Sequence, residues 1–393
     1  MSGSGQKLAA NYEATVTTGL ENCARDEVRE KLGVEATTQQ GRVWFSTDQP
    51  VEKILKLKSI CNLFVLMYNT RLEDDEMPIS GDCLGPVLTR AGEECNWTSG
   101  LEVWRQVSGF QCLMSDLLSN NPNLKSSQPK FRVSSNRFGP KHKFSSPEIC
   151  SVFGHVVDTK FGWPIKMKEY DLELMVNFNE NHLYIGITLT PKSLDFRNIV
   201  VPGMTTLRAP MCYALLRVAK IQCGDIVVDP MAGSGAIPVE CCAAWVDKEW
   251  FAFSMAGEIQ DIPLDKCGAN LKIFNDKSPH NILKLDVTSM PFRNDSIDVF
   301  VSDLPFGRRH GSKRNNRTLY PELLRDMGRV ARLKTGRAVL LTQDAKSMNL
   351  ASQKNRDLWT QRICTFVKVG NLNCYIYLFQ RNGAEFMSNK SSP

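Results

Sequence analysis

Four consecutive residues, Asp303-Leu304-Pro305-Phe306, carry the most specific chemistry in the sequence. They follow an apolar run at 297–301 and Ser302, so they stand where a buried strand ends. An exocyclic amine conjugated with its ring is a poor nucleophile, because the ring draws on its lone pair. Hydrogen bonds from its N–H groups to the Asp303 carboxylate and to a backbone carbonyl, expected to be that of Leu304, would draw nitrogen toward sp³ and aim that lone pair. Phe306 can stack on a base extruded from its helix. No strong base is needed, since the amine proton becomes acidic only after the nitrogen has been alkylated.

A second constellation lies upstream. Residues 227–238 read Val-Val-Asp-Pro-Met-Ala-Gly-Ser-Gly-Ala-Ile-Pro: a strand ending in an acid, a Gly-x-Gly turn, then a helix start. Glycines let backbone pass close to a ligand and adopt angles closed to other residues. Asp229, Met231, Gly233 and Gly235 are therefore cofactor-binding candidates. A Walker loop would need Lys-Ser/Thr after the final glycine, where Ala236-Ile237 stands. A dinucleotide fingerprint would carry a third glycine, where Pro238 stands. Glu258 ends the next strand, near the offset of a ribose-binding acid, and could accept both ribose hydroxyls. The alternative is a surface glutamate. Asp286 ends the third strand, where it could accept from an adenine amino group or act as a turn acid before Thr288. With these acids in register, residues 303–306 match the Asp/Asn-Pro-Pro-aromatic arrangement of methyltransferases that act on exocyclic or amide nitrogen.

These residues need a scaffold of strand ends. From about residue 200 strands alternate with helices, the mark of a parallel sheet covered by helices. Residues 226–229, 251–257, 281–285, 297–303 and 337–342 are the five strands. Runs at 363–369 and 374–379 form a hairpin, so the sheet should end with an antiparallel strand. The third strand falls at an edge in the usual strand order, with Ile282, Leu283 and Leu285 beside unpaired backbone groups. Upstream, Tyr12, Ala14 and Val16 alternate with polar residues, and Leu20, Cys23, Ala24, Val28 and Leu32 recur at helical spacing. Strands at 43–45 and 63–68, with a helix opened by Pro50 and running through Leu57, give the order βαββαβ of a ferredoxin-like unit. A helix around 101–118, a strand at 131–134, a helix opened by Ser145-Ser146-Pro147-Glu148 and strands at 172–178 and 183–189 make a further α+β unit.

The chain has 393 residues, 42% hydrophobic and 23% charged, which excludes wholesale disorder and collagen-like structure. A net charge of +6 permits an anionic partner without demanding one. No apolar window is long enough for a membrane-spanning helix, and residues 1–10 lack the apolar core of a secretory signal. Thirteen cysteines without a C-x-x-C pair point to free thiols in an intracellular protein, and neither they nor the five histidines have zinc-ligand spacing. The basic residues are clustered. Lys130, Arg132, Arg137, Lys141 and Lys143 lie in an acid-free stretch interleaved with Phe131, Phe138 and His142. Arg308-Arg309-His310, Lys313-Arg314 and Arg317 follow the catalytic turn. Such runs are usually solvated faces, but beside a base-modifying site phosphate contact is the better reading.

Together with Pro202-Gly203-Met204-Thr205-Thr206-Leu207-Arg208, the stretches 229–240, 303–307, 311–313, 336–344, 131–133, 141–142 and 189–198 resemble the THUMP-domain tRNA guanine-N2 methyltransferases over nearly the whole chain. The resemblance implies a ferredoxin-like domain at 11–75, a THUMP RNA-binding domain at 76–195 that grips the tRNA acceptor end, a Rossmann-like domain at 196–384 using S-adenosylmethionine, and a flexible tail at 385–393. It implies N2-methylguanosine formation in the acceptor stem, at position 6 or a neighbour. Thr206 and Arg208 would lie over the cofactor, Asp229 and Gly233 on its methionine side, Glu258 at its ribose, and Asp303 and Phe306 at the guanine. Where the family usually has Asp followed by polar residues, Glu258-Ile259-Gln260 stands. Eukaryotic relatives work with a small zinc-binding activator subunit, which would dock on the edge strand at 281–285. The expected location is the cytoplasm, with a nuclear fraction. The local chemistry alone also suits methylation of adenine or of a protein glutamine, and an RNA-binding protein with an inactive methyltransferase fold remains the alternative from a different class.

Overall fold

The computed structural model describes residues 9–73, 76–78, 80–125, 127–139, 143–306 and 313–386. Two compact units emerge, Met1–Thr15 with Arg25–Ser193, and Val16–Ala24 with Leu194–Pro393. Among the described residues no helix is long and apolar enough to cross a membrane.

Period-two burial starts with the first strand, where Ala10, Tyr12 and Ala14 are buried and Asn11 is exposed. The elements β1 (Ala10–Thr15), α1 (Glu21–Leu32), β2 (Ala36–Gln39), β3 (Arg42–Thr47), α2 (Val51–Ile54) and β4 (Asn62–Arg71) keep the expected βαββαβ order. The helix opened by Pro50 is only one turn long. Next come α3 (Leu84–Glu94), α4 (Trp97–Ser108), α5 (Met114–Leu117), β5 (Phe131–Phe138), α6 (Ser146–Phe161), β6 (Leu172–Asn179) and β7 (His182–Thr188). The single helix expected around 101–118 is broken at Gly109, whose φ of 67° ends α4. The stripe Leu84, Leu88 and Ala91 of α3 escaped the sequence reading. All seven strands form one sheet of order β2-β3-β1-β4-β7-β6-β5, because β4 pairs antiparallel with β7.

Helix α6 begins as its sequence dictates. The Glu148 amide donates to Ser145 Oγ (3.3 Å) and the Ser145 amide donates to the Glu148 carboxylate (2.6 Å), a complete capping box.

In the second unit the elements are α7 (Ala209–Val218), β8 (Ile226–Asp229), α8 (Ala236–Val246), β9 (Phe253–Glu258), α9 (Asp261–Leu271), β10 (His280–Lys284), β11 (Val299–Asp303), α10 (Lys313–Val330), β12 (Arg337–Thr342), α11 (Ala345–Lys354), β13 (Trp359–Val369) and β14 (Leu372–Arg381). The sheet order is β10-β9-β8-β11-β12-β14-β13, parallel from β10 to β12 and antiparallel beyond. The chain switches direction across the sheet between β8 and β11, so Asp229 and Asp303 end neighbouring strands at the crevice where such sheets bind ligands. Strand β10 stands at the edge, as expected. Its apolar side chains do not: Leu285 is buried, and Ile282 and Leu283 pack partly against the flanking core.

Removing the α6 cap should cost about 1 kcal/mol. Ser145→Ala is expected to lower the urea midpoint of the first unit, read by tryptophan fluorescence; an unshifted midpoint would show that the capping box contributes nothing.

Candidate active site

Asp229 and Asp303 meet opposite fates at their strand ends. Ser302 Oγ donates to Asp229 Oδ1 (2.7 Å), and the Met231 amide donates to the same oxygen (3.2 Å). Burial still pushes the Asp229 carboxyl up to about 7, the charge of Glu258 adding to it and those hydrogen bonds pulling it back. Oδ1 of Asp303 is shielded from solvent and, among the described residues, meets no donor. Burial first, and the Asp229 charge second, push this carboxyl up to about 8.

The glycines of the loop serve different ends. Both have positive φ, 54° at Gly233 and 83° at Gly235, which any side chain would strain. A Cβ on Gly235 would also lie 2.6 Å from Cys267 Sγ on α9, so Gly235 permits packing. A Cβ on Gly233 would meet nothing within 4 Å, which leaves that flank of the loop open to a ligand.

Glu258 departs from its expected role. Its carboxylate accepts from the amides of Gly233 (3.0 Å), Ile259 (3.0 Å) and Gln260 (2.9 Å). A carboxylate has about four acceptor positions, so room remains for one ribose hydroxyl and not for two. Asp286 is a turn acid: the Thr288 amide (2.9 Å) and hydroxyl (2.7 Å) donate to its Oδ1 and hold its carboxyl below the ordinary value. Arg208 pairs with Asp195 (2.8 Å). Thr206 Oγ1 accepts from the Gly203 amide (2.6 Å) and bonds Ser234 Oγ (2.9 Å), tying the lead-in segment to the glycine loop. Met231 packs partly against the core behind the loop.

Sequence reasoning missed the residues that hold this lead-in. Asn270, fully buried on α9, accepts from the Val200 and Val201 amides (2.9 and 2.7 Å) and donates to the Val201 and Ser234 carbonyls (3.0 and 2.9 Å). Arg197 grips the buried Glu240 with Nε and Nη2. Only tertiary structure reveals these roles, because an Asn or Glu within a helix gives no local signal of its partner.

At the catalytic turn the buried Leu304 donates its amide to the Leu341 carbonyl (2.9 Å). Pro305 and Phe306 are half-exposed. Of the expected RNA-binding residues, Lys130 and Lys143 are exposed. Arg132 instead gives two hydrogen bonds to Glu173 (2.9 and 2.6 Å) and lies 4.1 Å over the Tyr170 ring. Arg137 donates to the Phe144 carbonyl. Both guanidiniums therefore already have internal acceptors, Arg132 half-buried and Arg137 exposed with, among the described residues, only Nη1 engaged. Lys141, His142, Arg308 and Arg309 lie outside the described residues, as do the side chains of Lys313 and Arg314.

The arrangement fits a cationic cofactor. A glycine loop with an open flank adjoins the buried Asp229 and the half-buried Asp303, the latter with a bare, shielded Oδ1. The same charge burden makes a stability prediction. The Asp303 carboxyl is raised from 3.8 to about 8, so the folded state holds its proton across that window, and stability falls as pH rises through it. Asp303→Asn has no proton to lose. Its melting temperature should exceed that of the wild type by a margin that widens from pH 5 to pH 8. The limiting slope for one group is about 1.4 kcal/mol per pH unit, and about 2–4 °C accompanies each kcal/mol in a unit of this size. A margin that stays constant across that range would refute the burden assigned to Asp303.

Family models agree with this division of labour. The model described as an RMKL-like methyltransferase domain matches residues 197–374, and that of the THUMP domain matches residues 119–188. The tRNA (guanine(6)-N(2))-methyltransferase THUMP3 of Homo sapiens is 31% identical, covering 98% of this chain and 91% of that protein. The U6 snRNA (guanine-N(2))-methyltransferase THUMPD2 of Homo sapiens is 23% identical over 87% of this chain and 80% of its own length. TrmN from Thermus thermophilus shares the fold, with a TM-score of 0.74 at 22% identity, covering 94% of this chain and 99% of TrmN. With a THUMP domain ahead of a methyltransferase domain and 31% identity almost end to end, the chain belongs to the THUMP-domain guanine-N2 methyltransferases.

Proposed function

We propose that this chain transfers the methyl group of S-adenosylmethionine to the exocyclic N2 of an acceptor-stem guanosine in tRNA, at position 6 or beside it. The observation that carries the reading is the half-buried Asp303 carboxylate, whose Oδ1 has no donor among the described residues, at the end of the strand beside the glycine loop. When bound, the cofactor supplies a methyl group made electrophilic by its sulfonium charge. Thr206, Asp229, Met231, Gly233 and Gly235 would hold it, with one ribose hydroxyl on Glu258, the adenine amine on the second oxygen of Asp286, and Arg208 at the lead-in. One N–H of the guanine amine meets the Asp303 carboxylate. The other goes to the Leu304 carbonyl, because the Pro305 carbonyl already accepts from Tyr320 and Asn316. Phe306 gives the base a ring to stack on. Beside the positive charge of the bound cofactor, Asp303 would favour its ionised form, and its carboxylate can then take the surplus proton that transfer leaves on N2.

The THUMP-containing unit is proposed to grip the acceptor end. Exposed Lys130 and Lys143 are the described candidates for phosphate contact, and Lys141, His142, Arg308, Arg309, Lys313 and Arg314 keep that assignment as a proposal. Cytoplasmic location with a nuclear fraction follows from a tRNA substrate.

Tritiated S-adenosylmethionine, total tRNA and nucleoside mass spectrometry test the reading, with U6 snRNA as a second substrate because of the substrate named for THUMPD2. N2-methylguanosine in tRNA is expected. Label on adenine would favour another amine, and cofactor binding without transfer would favour a binding protein. Asp303→Ala should abolish single-turnover transfer while cofactor affinity stays within a few-fold; undiminished transfer would remove Asp303 from the chemistry.

A small zinc-binding activator is proposed to pair with β10. That edge strand offers unpaired backbone groups, and Ile259 and Ile262 are exposed where α9 begins. Lys284 of β10 pairs with Asp261 (2.6 Å) of the same turn. Leu283→Pro would bend this edge, so co-purification with the activator should fail. An isolated chain that is monodisperse and fully active would dispose of the partner.

A further inference from the structure

The Pro305 carbonyl is held from behind by a buried polar chain. Tyr320 Oη donates to it (2.7 Å), and Asn316 Nδ2 donates as well (3.0 Å). Both residues belong to α10, and both are buried, Tyr320 completely. Tyr320 Oη also meets Thr342 Oγ1 (2.8 Å) at the end of β12, and the Asp344 amide donates to that hydroxyl (2.9 Å). The hydroxyl protons have one consistent order. A carbonyl only accepts, so the Tyr320 proton goes to Pro305; the Thr342 proton then goes to Tyr320, and Thr342 accepts from Asp344. Such a one-way chain is cooperative. Burial pushes the Tyr320 phenol well above its ordinary value, so it stays a donor.

Satisfying a lone carbonyl does not require this. Pro305 is half-exposed, and water could serve its oxygen. The chain instead commits two buried side chains, and it leaves Asn316 Oδ1 without a donor, a standing cost to folding. Asn316 Nδ2 also reaches Asp344 Oδ2 (3.3 Å), and Asp344 caps α11 through the Ser347 amide (3.1 Å) and hydroxyl (2.7 Å). The turn after β11 is thereby fixed to α10, β12 and α11.

We propose that Tyr320 and Asn316 are positioning residues for methyl transfer: by occupying the Pro305 carbonyl they lock the turn so that the Leu304 carbonyl and the Asp303 carboxylate face the acceptor amine. The proposal rests on the amine-directed reading of this site. Without the lock the turn could rotate and offer the amine the wrong carbonyl. A displacement of about 1 Å can cost about a hundredfold in rate while binding is kept.

The experiment is single-turnover transfer by the full-length protein, with melting temperature and cofactor affinity measured alongside. Tyr320→Phe deletes one oxygen and should slow transfer by about 10- to 100-fold, with tRNA KM and cofactor Kd within twofold of wild type. Thr342→Val should slow it in the same direction, and Thr342→Ser should restore the wild-type rate. Transfer by Tyr320→Phe within threefold of wild type would overturn the proposal. So would parallel losses of rate, cofactor affinity and melting temperature, which mark a merely structural role. Product identity tests the guanosine reading, while the variant-to-wild-type ratio tests the lock, whichever nucleoside carries the label. A wild-type protein that labels nothing even with a zinc-binding activator subunit added overturns both.

Discussion

Two carboxylates at the ends of adjacent strands, Asp229 buried and Asp303 half-buried with its Oδ1 shielded, set the terms for the whole second unit. Burying a carboxylate without a partner is costly, and doing so twice side by side adds mutual repulsion. Ser302 and the Met231 amide relieve Asp229, while Asp303 keeps a bare oxygen. A protein selected for stability alone would have filled that position with a neutral residue. The burden is reasonable only if a bound cation and an N–H donor relieve it during turnover. The surroundings agree: Gly233 leaves one flank open, and Glu258 holds the loop by its Gly233 amide.

Strand ends were legible because apolar runs mark strands and the order of strands fixes which ends are neighbours. Asp229 and Asp303 could therefore be named from sequence, and the switch of chain direction between β8 and β11 brings them together. Glu258 was only half legible. Its extra methylene, relative to Asp, lets the carboxylate fold back onto the amides of Ile259 and Gln260, a local choice that spacing from the glycine loop cannot disclose. Asn270, Glu240, Asn316 and Tyr320 were not legible at all. Each is a buried polar residue on an ordinary helix, and each derives its meaning from a partner at least eleven residues away.

Charge clusters read from sequence do not show which cations already have partners, for a reason rooted in side-chain geometry. A guanidinium presents several donors in a fixed fork and finds internal acceptors readily. Arg132 and Arg137 have done so, on Glu173 and on the Phe144 carbonyl. Lys130 and Lys143, with flexible stems and compact charges, remain at the surface. Counting basic residues along a segment merges the half-buried Arg132, with both its Nε and Nη2 given to Glu173, and the exposed Arg137, Lys130 and Lys143.

The edge strand β10 shows the same separation between composition and availability. Its apolar residues suggest a sticky surface, yet Leu285 is buried and Ile282 and Leu283 are already packed in part against the unit's own core. What the edge still offers is backbone on the side away from β9, although the Ile282 amide already donates to Asn281 Oδ1 (2.8 Å). Recognition there would be carried by hydrogen bonds in strand register, with Ile259 and Ile262 adding apolar contact beyond the strand's end. Strand pairing of this kind tolerates changes in side chains that point into the core and fails when the backbone is bent. The dependence on backbone geometry explains why a proline at position 283 is the sensitive test, whereas a smaller aliphatic residue there would leave the pairing groups in place.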